Sequence, residues 1–418
     1  MSSYTNIERS IARALTRYPF LKRIAKSVFS RMVFLKNKKS YRFKSISQPQ
    51  AISIGDNSSF FGYYDKSPEN IEGLVLACVT ELNTSTLPCG NNAVNLVVLN
   101  SSNEILVKLE INSYNWQQGC RAHWLDSDRF IYNDFDELDQ RYICRVFSLK
   151  EAKEVKKFRF PVQDSFIDSY FISLNYQRLL TLRPDYGYRN LPNLKNAQLN
   201  DLENDGLWKV NYETGDVEFF ISLIDVCNIG YTDDMHGAQH KFNHVMISPN
   251  GDKFIFMHRY LKDGMRVDRL LLADALNGEL KLLSDYGMVS HCFWIDNRTV
   301  LGYMRGPSSI DAYWLLDIDS GKFSPLPSNG LERFGDGHPH VMGDWFITDS
   351  YPDKSRMQHL ILCNWKTGEI KKIGEFFHGF EFSGECRCDL HPRLSNDGKT
   401  AYFDSVFTGR RNLYRIEL

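Results

Sequence analysis

Over most of this chain, apolar and polar residues alternate in short paired runs broken by tight turns. HVMISPNGDKFIFMHRY followed by RLLLADALNGELKLL occupies 244–284, and HCFWIDNRTVLGYMR with YWLLDIDSGKFS occupies 291–324. HVMGDWFITDSYP with HLILCNWKTGEIKKI follows at 340–373, and HWLDSDRFIYNDF with YICRVFSLKEAKEVKKFR lies earlier, at 123–159. Weaker copies fall within 63–109 and 174–220, and the last begins in DLHPRLSNDGKTAYFDS, 389–405. Period-two alternation marks half-buried strands, and Asn-Gly or Asp-Gly between two such runs marks a hairpin. Seven units recur every 40–50 residues or so, each with four strands, which is the pattern of a β-propeller. The sequence predicts an all-β fold, a seven-bladed β-propeller over 40–418 preceded by a short amphipathic helix. The final unit stops after its third strand, LYRIEL, and SYRFKSISQ, 40–48, is expected to supply the fourth and leave no open edge. RPDYGYRNLPNLKNAQLNDLEND, 183–205, interrupts the third unit as a surface insertion over one face.

The first 39 residues follow a different period. Ile7, Ile11, Leu15, Tyr18, Leu21, Ile24, Val28 and Met32 recur every three or four positions, one apolar helical stripe with basic flanks, in which Pro19 predicts a kink or a break into two shorter helices. Charge sharpens this reading. The net charge of −1 hides an amino-terminal arm whose first 50 residues hold twelve Lys or Arg against Glu8 alone. No apolar run reaches the length of a signal-peptide core or a membrane span. The arm is expected to lie on an anionic membrane surface through residues 1–39, giving a cytoplasmic protein peripheral to the inner membrane. No other basic motif supports a nucleic-acid partner. Nine unevenly spaced cysteines make no disulfide framework and fit a reducing compartment. There is no G-x-S-x-G elbow, P-loop or G-x-G-x-x-G, which excludes the common hydrolase and nucleotide-binding sites.

Candidate chemistry sits at one point of the repeat. His123, His244, His291, His340 and His391 open the first strand of five units, while His236, His240 and His338 lie just upstream of first strands. Second strands end in Asn133-Asp134, Arg183, His258-Arg259, Arg305, Asp349 and Asp404. Strand starts and second-strand ends share one face of a propeller, so these groups converge on one mouth of the channel. Imidazole with carboxylate suits Mn, Zn or Fe. A histidine in that slot can also serve only its own blade, through hydrogen bonds.

FIFMHRY, then RVDRLLLAD, SHCFW and DLHPRLSNDGKTAYFDSVFTGRRNLYRIEL resemble the oligogalacturonate lyase family of seven-bladed propellers, mainly over residues 236–418. SPNGDKFIF is also similar to the TolB-type repeat, which carries no catalytic implication. The lyase resemblance implies a divalent metal, typically manganese, held by His291 and His391. Asp389 stands where the family has another histidine, and Cys386 where it has a glutamine, with His338 or His340 as a further ligand. It implies His258 as the base that removes the proton next to a uronate carboxylate. Arg259, Arg305 and Arg387 are the candidates for its arginine. Arg387, Arg183, Tyr64 and His244 are expected to meet an acidic oligosaccharide or polysaccharide, with Tyr63 and Trp294 as further stacking candidates. The expected activity is β-elimination by a metal-dependent lyase. The alternative is a non-catalytic propeller that binds a glycan or protein partner at a membrane surface.

Overall fold

The alternating runs form seven four-stranded antiparallel units in a computed structural model that describes residues 19–327 and 330–418, with the side chains of its first helix from Ser27 onward. The blades span 58–111, 123–158, 164–222, 239–287, 289–325, 340–377 and 393–417. Strands within a blade pair in chain order, as hairpin-linked strands do when each turn is short. Between blades the contacts are apolar, with polar tips anchored on the neighbouring backbone. Trp294 in blade five donates its indole N–H to the Met246 carbonyl of blade four at 3.0 Å. Tyr64, leading out of blade one, donates its hydroxyl to the Cys292 carbonyl of blade five at 3.0 Å and accepts the Cys292 N–H. A buried aromatic with its polar end satisfied stabilises a core without an orphaned group.

The ring closes further along the chain than 40–48. Gln50–Ile52 pairs with Asn412–Glu417 and completes blade seven. Phe43–Ser45 instead adds a fifth, outermost strand to blade six, against Ile370–Phe377. Burial decides the assignment. Ile52 is fully buried opposite Leu413, whereas Ile46 is exposed and brings no apolar group to blade seven. One segment therefore covers the outer edges of two neighbouring blades.

Within the described residues the helix runs Pro19–Asn37, so the chain before Pro19, on which the expected kink or break depends, lies outside the described residues. Ile7, Ile11, Leu15 and Tyr18 lie outside the described residues, as do the side chains of Leu21 and Ile24. The helix meets the propeller through Phe34, which lies outside the stripe and packs on Phe377 at 5.7 Å and Phe380 at 5.4 Å. Val28 (52%), Met32 (64%) and Leu35 (64%) remain solvent-exposed. No described helix is long and apolar enough to cross a membrane.

Candidate metal centre at the channel mouth

Four histidines from four blades or their entry loops meet at one end of the channel. His244 stands on the first strand of blade four, Gln239–Ile247, and His291 on that of blade five, Val289–Trp294. His338 lies just before blade six and His391 just before blade seven. Ring centroids are 5.6 Å apart for His244 and His291, 4.0 Å for His291 and His338, and 4.3 Å for His338 and His391. His244 sits at a register break in its strand, and both His244 (φ 54°) and His391 (φ 43°) hold left-handed backbone that non-glycine residues rarely adopt. A bulge re-aims a side chain, and strain of this kind persists only where surrounding contacts impose it.

Those contacts come from two buried aspartates at second-strand ends. Asp349 accepts the backbone N–H of His338 (2.8 Å), the Nδ1–H of His338 (2.8 Å) and the backbone N–H of His391 (3.1 Å). Asp404 accepts the N–H groups of Phe61 (3.1 Å) and Gly62 (3.2 Å), and Arg393 at 2.9 Å. The Gly62 carbonyl in turn accepts His391 Nδ1–H at 2.8 Å. Only glycine fits position 62. Its φ is +120°, and a Cβ there would lie 2.4 Å from the Gln118 carbonyl carbon.

With both Nδ1 atoms committed as donors, His338 and His391 each turn a buried Nε2 inward that has no hydrogen-bond partner. Asp389 completes the set, and one ligand atom from each of His338, Asp389 and His391 lies within 4.8 Å of the others. Imidazoles whose far nitrogen is fixed by a carboxylate or carbonyl are the arrangement metal sites use to orient their ligands. The donor set fits a divalent cation. His291 flanks it, its Nδ1 held by Asp336 (3.2 Å) and Ser290 (3.1 Å).

Electrostatics favour ligand-ready forms of His391, His291, His244 and Asp389, but not of His338. Burial, reinforced by His338, holds His391 well below the usual imidazole range, and burial with His338 also lowers His291. Burial, reinforced by His291, does the same to His244. His338 goes the other way: burial lowers it, but Asp349 and two further carboxylates outweigh this and raise it. Burial would raise Asp389, yet Arg387 and His338 bring it below the ordinary carboxylate value.

Around the set lies a charged rim. Arg387 Nε donates to Asp389 at 2.6 Å and its Nη1 to Asp185 at 3.1 Å, while Arg183 pairs with Asp185 at 2.9 Å and lies over the Tyr186 ring. Tyr186 contacts both Tyr63 and His244 edge-on. These contacts come from the blade-three insertion, which packs over the mouth through buried Tyr186, Tyr188 and Leu199. The Tyr63 hydroxyl lies 2.5 Å from His244 Nδ1.

Other expected residues do not join the set. His340 is spent between blades, with Nδ1 donating to the Tyr64 carbonyl of blade one at 2.7 Å and its ring against Phe293 of blade five. Tyr64 does reach the group, its ring 5.7 Å from His291 and 5.5 Å from His338, but it is buried with its hydroxyl spent on Cys292 and so packs beneath the histidines rather than offering an open stacking face. His258 turns away to His240 and Arg269. Arg259 is neutralised by buried Asp268, and Arg305 forms a partly exposed ion pair with Asp311 at 2.7 Å. Cys386 lies in a turn outside the group. His338 is the ligand least visible in the sequence. Its one signal is its place in DGHPH, upstream of the strand that begins at His340.

Burial drives blade histidines such as His340 and His123 down, to about 4 and about 3. Free imidazole titrates near about 6.5, so below that pH the unfolded chain binds protons that the folded blades refuse. Stability is therefore expected to fall as pH drops from about 6.5 towards about 4. Urea midpoints measured across that range should decline, and His340→Gln should flatten the decline.

No family model matches the chain, and no curated protein matches it significantly. Solved structures do. An oligogalacturonate lyase in complex with manganese is 14% identical and superposes with a TM-score of 0.61, over 91% of this chain and 95% of that one. An oligogalacturonate lyase from Vibrio parahaemolyticus is also 14% identical, with a TM-score of 0.58 over 91% of this chain and 97% of its own. The fold is that of the oligogalacturonate lyase propellers. At this identity the likeness establishes the fold and nothing about activity.

Proposed function

We propose that this protein is a metal-dependent lyase that cleaves an acidic, uronate-containing oligosaccharide or polysaccharide by β-elimination. The observation that carries the reading is the pair of buried, unpartnered Nε2 atoms of His338 and His391 facing Asp389. His338, Asp389 and His391 would hold a divalent cation, with His291 beside them. When bound, that ion supplies a Lewis acid next to the uronate carboxylate, where negative charge grows as the adjacent proton leaves. Arg387 and Arg183 hold acidic groups of the sugar at the rim. His244 takes the proton, being neutral and open to the mouth, with Tyr63 orienting its ring. The C–H electron pair becomes the new double bond, the glycosidic C–O bond breaks, and the leaving oxygen collects a proton. His244→Ala is expected to keep bound metal and lose at least about 100-fold in rate, the lower range for a general base. The assay follows unsaturated uronate absorbance with oligogalacturonate and other acidic glycans. Failure of every uronate polymer with metal-loaded protein would overturn the lyase reading.

A second reading, a glycan- or protein-binding propeller at a membrane surface, is favoured by the exposed row Val28, Met32 and Leu35 beside Arg31, Lys36, Lys38 and Lys39. The full chain is expected to sediment with vesicles containing anionic lipid and to release at high salt. Met32→Glu/Leu35→Glu should abolish sedimentation. Equal recovery with purely zwitterionic vesicles would contradict the electrostatic part of this reading.

A further inference from the structure

A second cluster of donor atoms lies away from the mouth, between the end of blade three and blade four. Cys227 stands on the short helix Leu223–Asn228, His240 on the first strand of blade four, and His258 on its second strand, Lys253–Lys262. Cys227 Sγ is 3.3 Å from His240 Nδ1, which is 3.0 Å from His258 Nε2. One ligand atom from each residue lies within 4.8 Å of the others, and all three residues are buried. His240 Nε2 faces the Met235 carbonyl at 3.1 Å. A carbonyl only accepts, so the proton is on Nε2 and the Nδ1 lone pair points into the cluster. The two imidazole rings are stacked nearly parallel, at 9° and 5.2 Å.

We propose that Cys227, His240 and His258 form a second metal site, for a borderline-soft divalent ion of the Zn²⁺ class, which ties the Leu223–Asn228 helix to blade four. Thiolate with two imidazoles is a donor set that selects such ions over the hard cations that prefer carboxylates and water. The spacing is close to what zinc needs. With Zn–S near about 2.3 Å and Zn–N near about 2.0–2.1 Å, tetrahedral donors stand about 3.3–3.6 Å apart. The separations of His240 Nδ1 from Cys227 Sγ and from His258 Nε2 need to open by only a few tenths of an ångström. His240 already has the outer partner that fixes a metal-binding imidazole, the Met235 carbonyl.

The proton balance is explicit. Binding releases one proton, that of the Cys227 thiol, while the single His258 proton moves from Nε2, where it is shared with His240 Nδ1, to Nδ1. Arg269, which approaches that Nδ1 only at 3.4 Å, also donates to the Val226 and Ile229 carbonyls and can give up the imidazole contact. Burial pushes the free Cys227 thiol up to about 11, against a smaller opposing effect of Arg269, so a bound dication supplies the charge that the thiolate lacks. Affinity should rise with pH, as for any site whose ligands must lose protons. The proposal is independent of the lyase reading, because it shares no ligand with the mouth.

Co²⁺ titration of the chelator-stripped full chain tests it, since cobalt bound to sulfur gives a near-ultraviolet charge-transfer band that nitrogen and oxygen ligands do not. The expected result is a band that saturates at one equivalent and is displaced by Zn²⁺. It should persist in His338→Ala/His391→Ala and vanish in both Cys227→Ser and His240→Gln. Cobalt uptake by wild type without that band would overturn the proposal, as would a band left unchanged by both variants. The wild-type result stands whether or not either variant folds.

Discussion

His338→Ala/His391→Ala is expected to abolish stoichiometric binding of a divalent ion at the mouth while the propeller remains folded. The two side chains bring the paired Nε2 atoms, and no other described imidazole reaches the same point with both its outer partner and its inward lone pair in place. Losing only an outer partner of a ligand costs about 10–100-fold in affinity, so losing two ligands should exceed about 100-fold. Asp349→Asn gives the graded version. Its carboxylate orients the His338 imidazole and holds the backbone of His391, and the amide should weaken binding within that 10–100-fold range. Calorimetric titration with Mn²⁺, beside circular dichroism to show folded blades, makes the measurement. Unchanged Mn²⁺ affinity in the folded double variant would remove the metal centre, and with it the lyase reading.

Asp404→Ala should produce the largest loss of stability among single changes at the mouth. Arg393 and Asp404 form an ion pair at 2.9 Å with side chains 0% and 3% exposed. Removing the carboxylate leaves a buried guanidinium without its counter-charge, which costs about 3–5 kcal/mol. It also strips the acceptor from the Phe61 and Gly62 N–H groups, so the segment that carries Tyr63 and the carbonyl holding His391 is released. Denaturant midpoints should fall sharply relative to Asp397→Ala, whose carboxylate lies in an exposed turn and whose loss should leave the midpoint nearly unchanged. Similar midpoints for the two variants would refute the account of Asp404 as the support of that segment.

The sequence by itself determined the architecture. Period-two alternation and Asn-Gly or Asp-Gly turns depend only on neighbouring residues, and they give seven blades, but place the third too late. Tyr176–Leu182, which reads as a strand, is a helix capped by Arg183, and the blade's first two strands are Asp164–Phe166 and Tyr170–Leu174. The convergence of His244, His291 and His391 also followed from the repeat, because equivalent slots in successive blades must face the same mouth. What chain order could not supply is the direction of each side chain. His340 occupies the repeat slot yet is spent on neighbouring blades, at the Tyr64 carbonyl and the Phe293 ring, while His338, two residues earlier, reaches the ligand set because Asp349 captures its Nδ1. His258 is expected to end a second strand, but that strand runs on to Lys262 and His258 lies in its middle, facing His240 rather than the channel. Ring closure by Gln50–Ile52 rather than 40–48 was decided by which apolar side chain finds a buried partner. Strand period is a local property of the chain. Orientation at the mouth is set by hydrogen bonds between residues far apart in sequence, such as Gly62 with His391, and these exist only once the ring has closed.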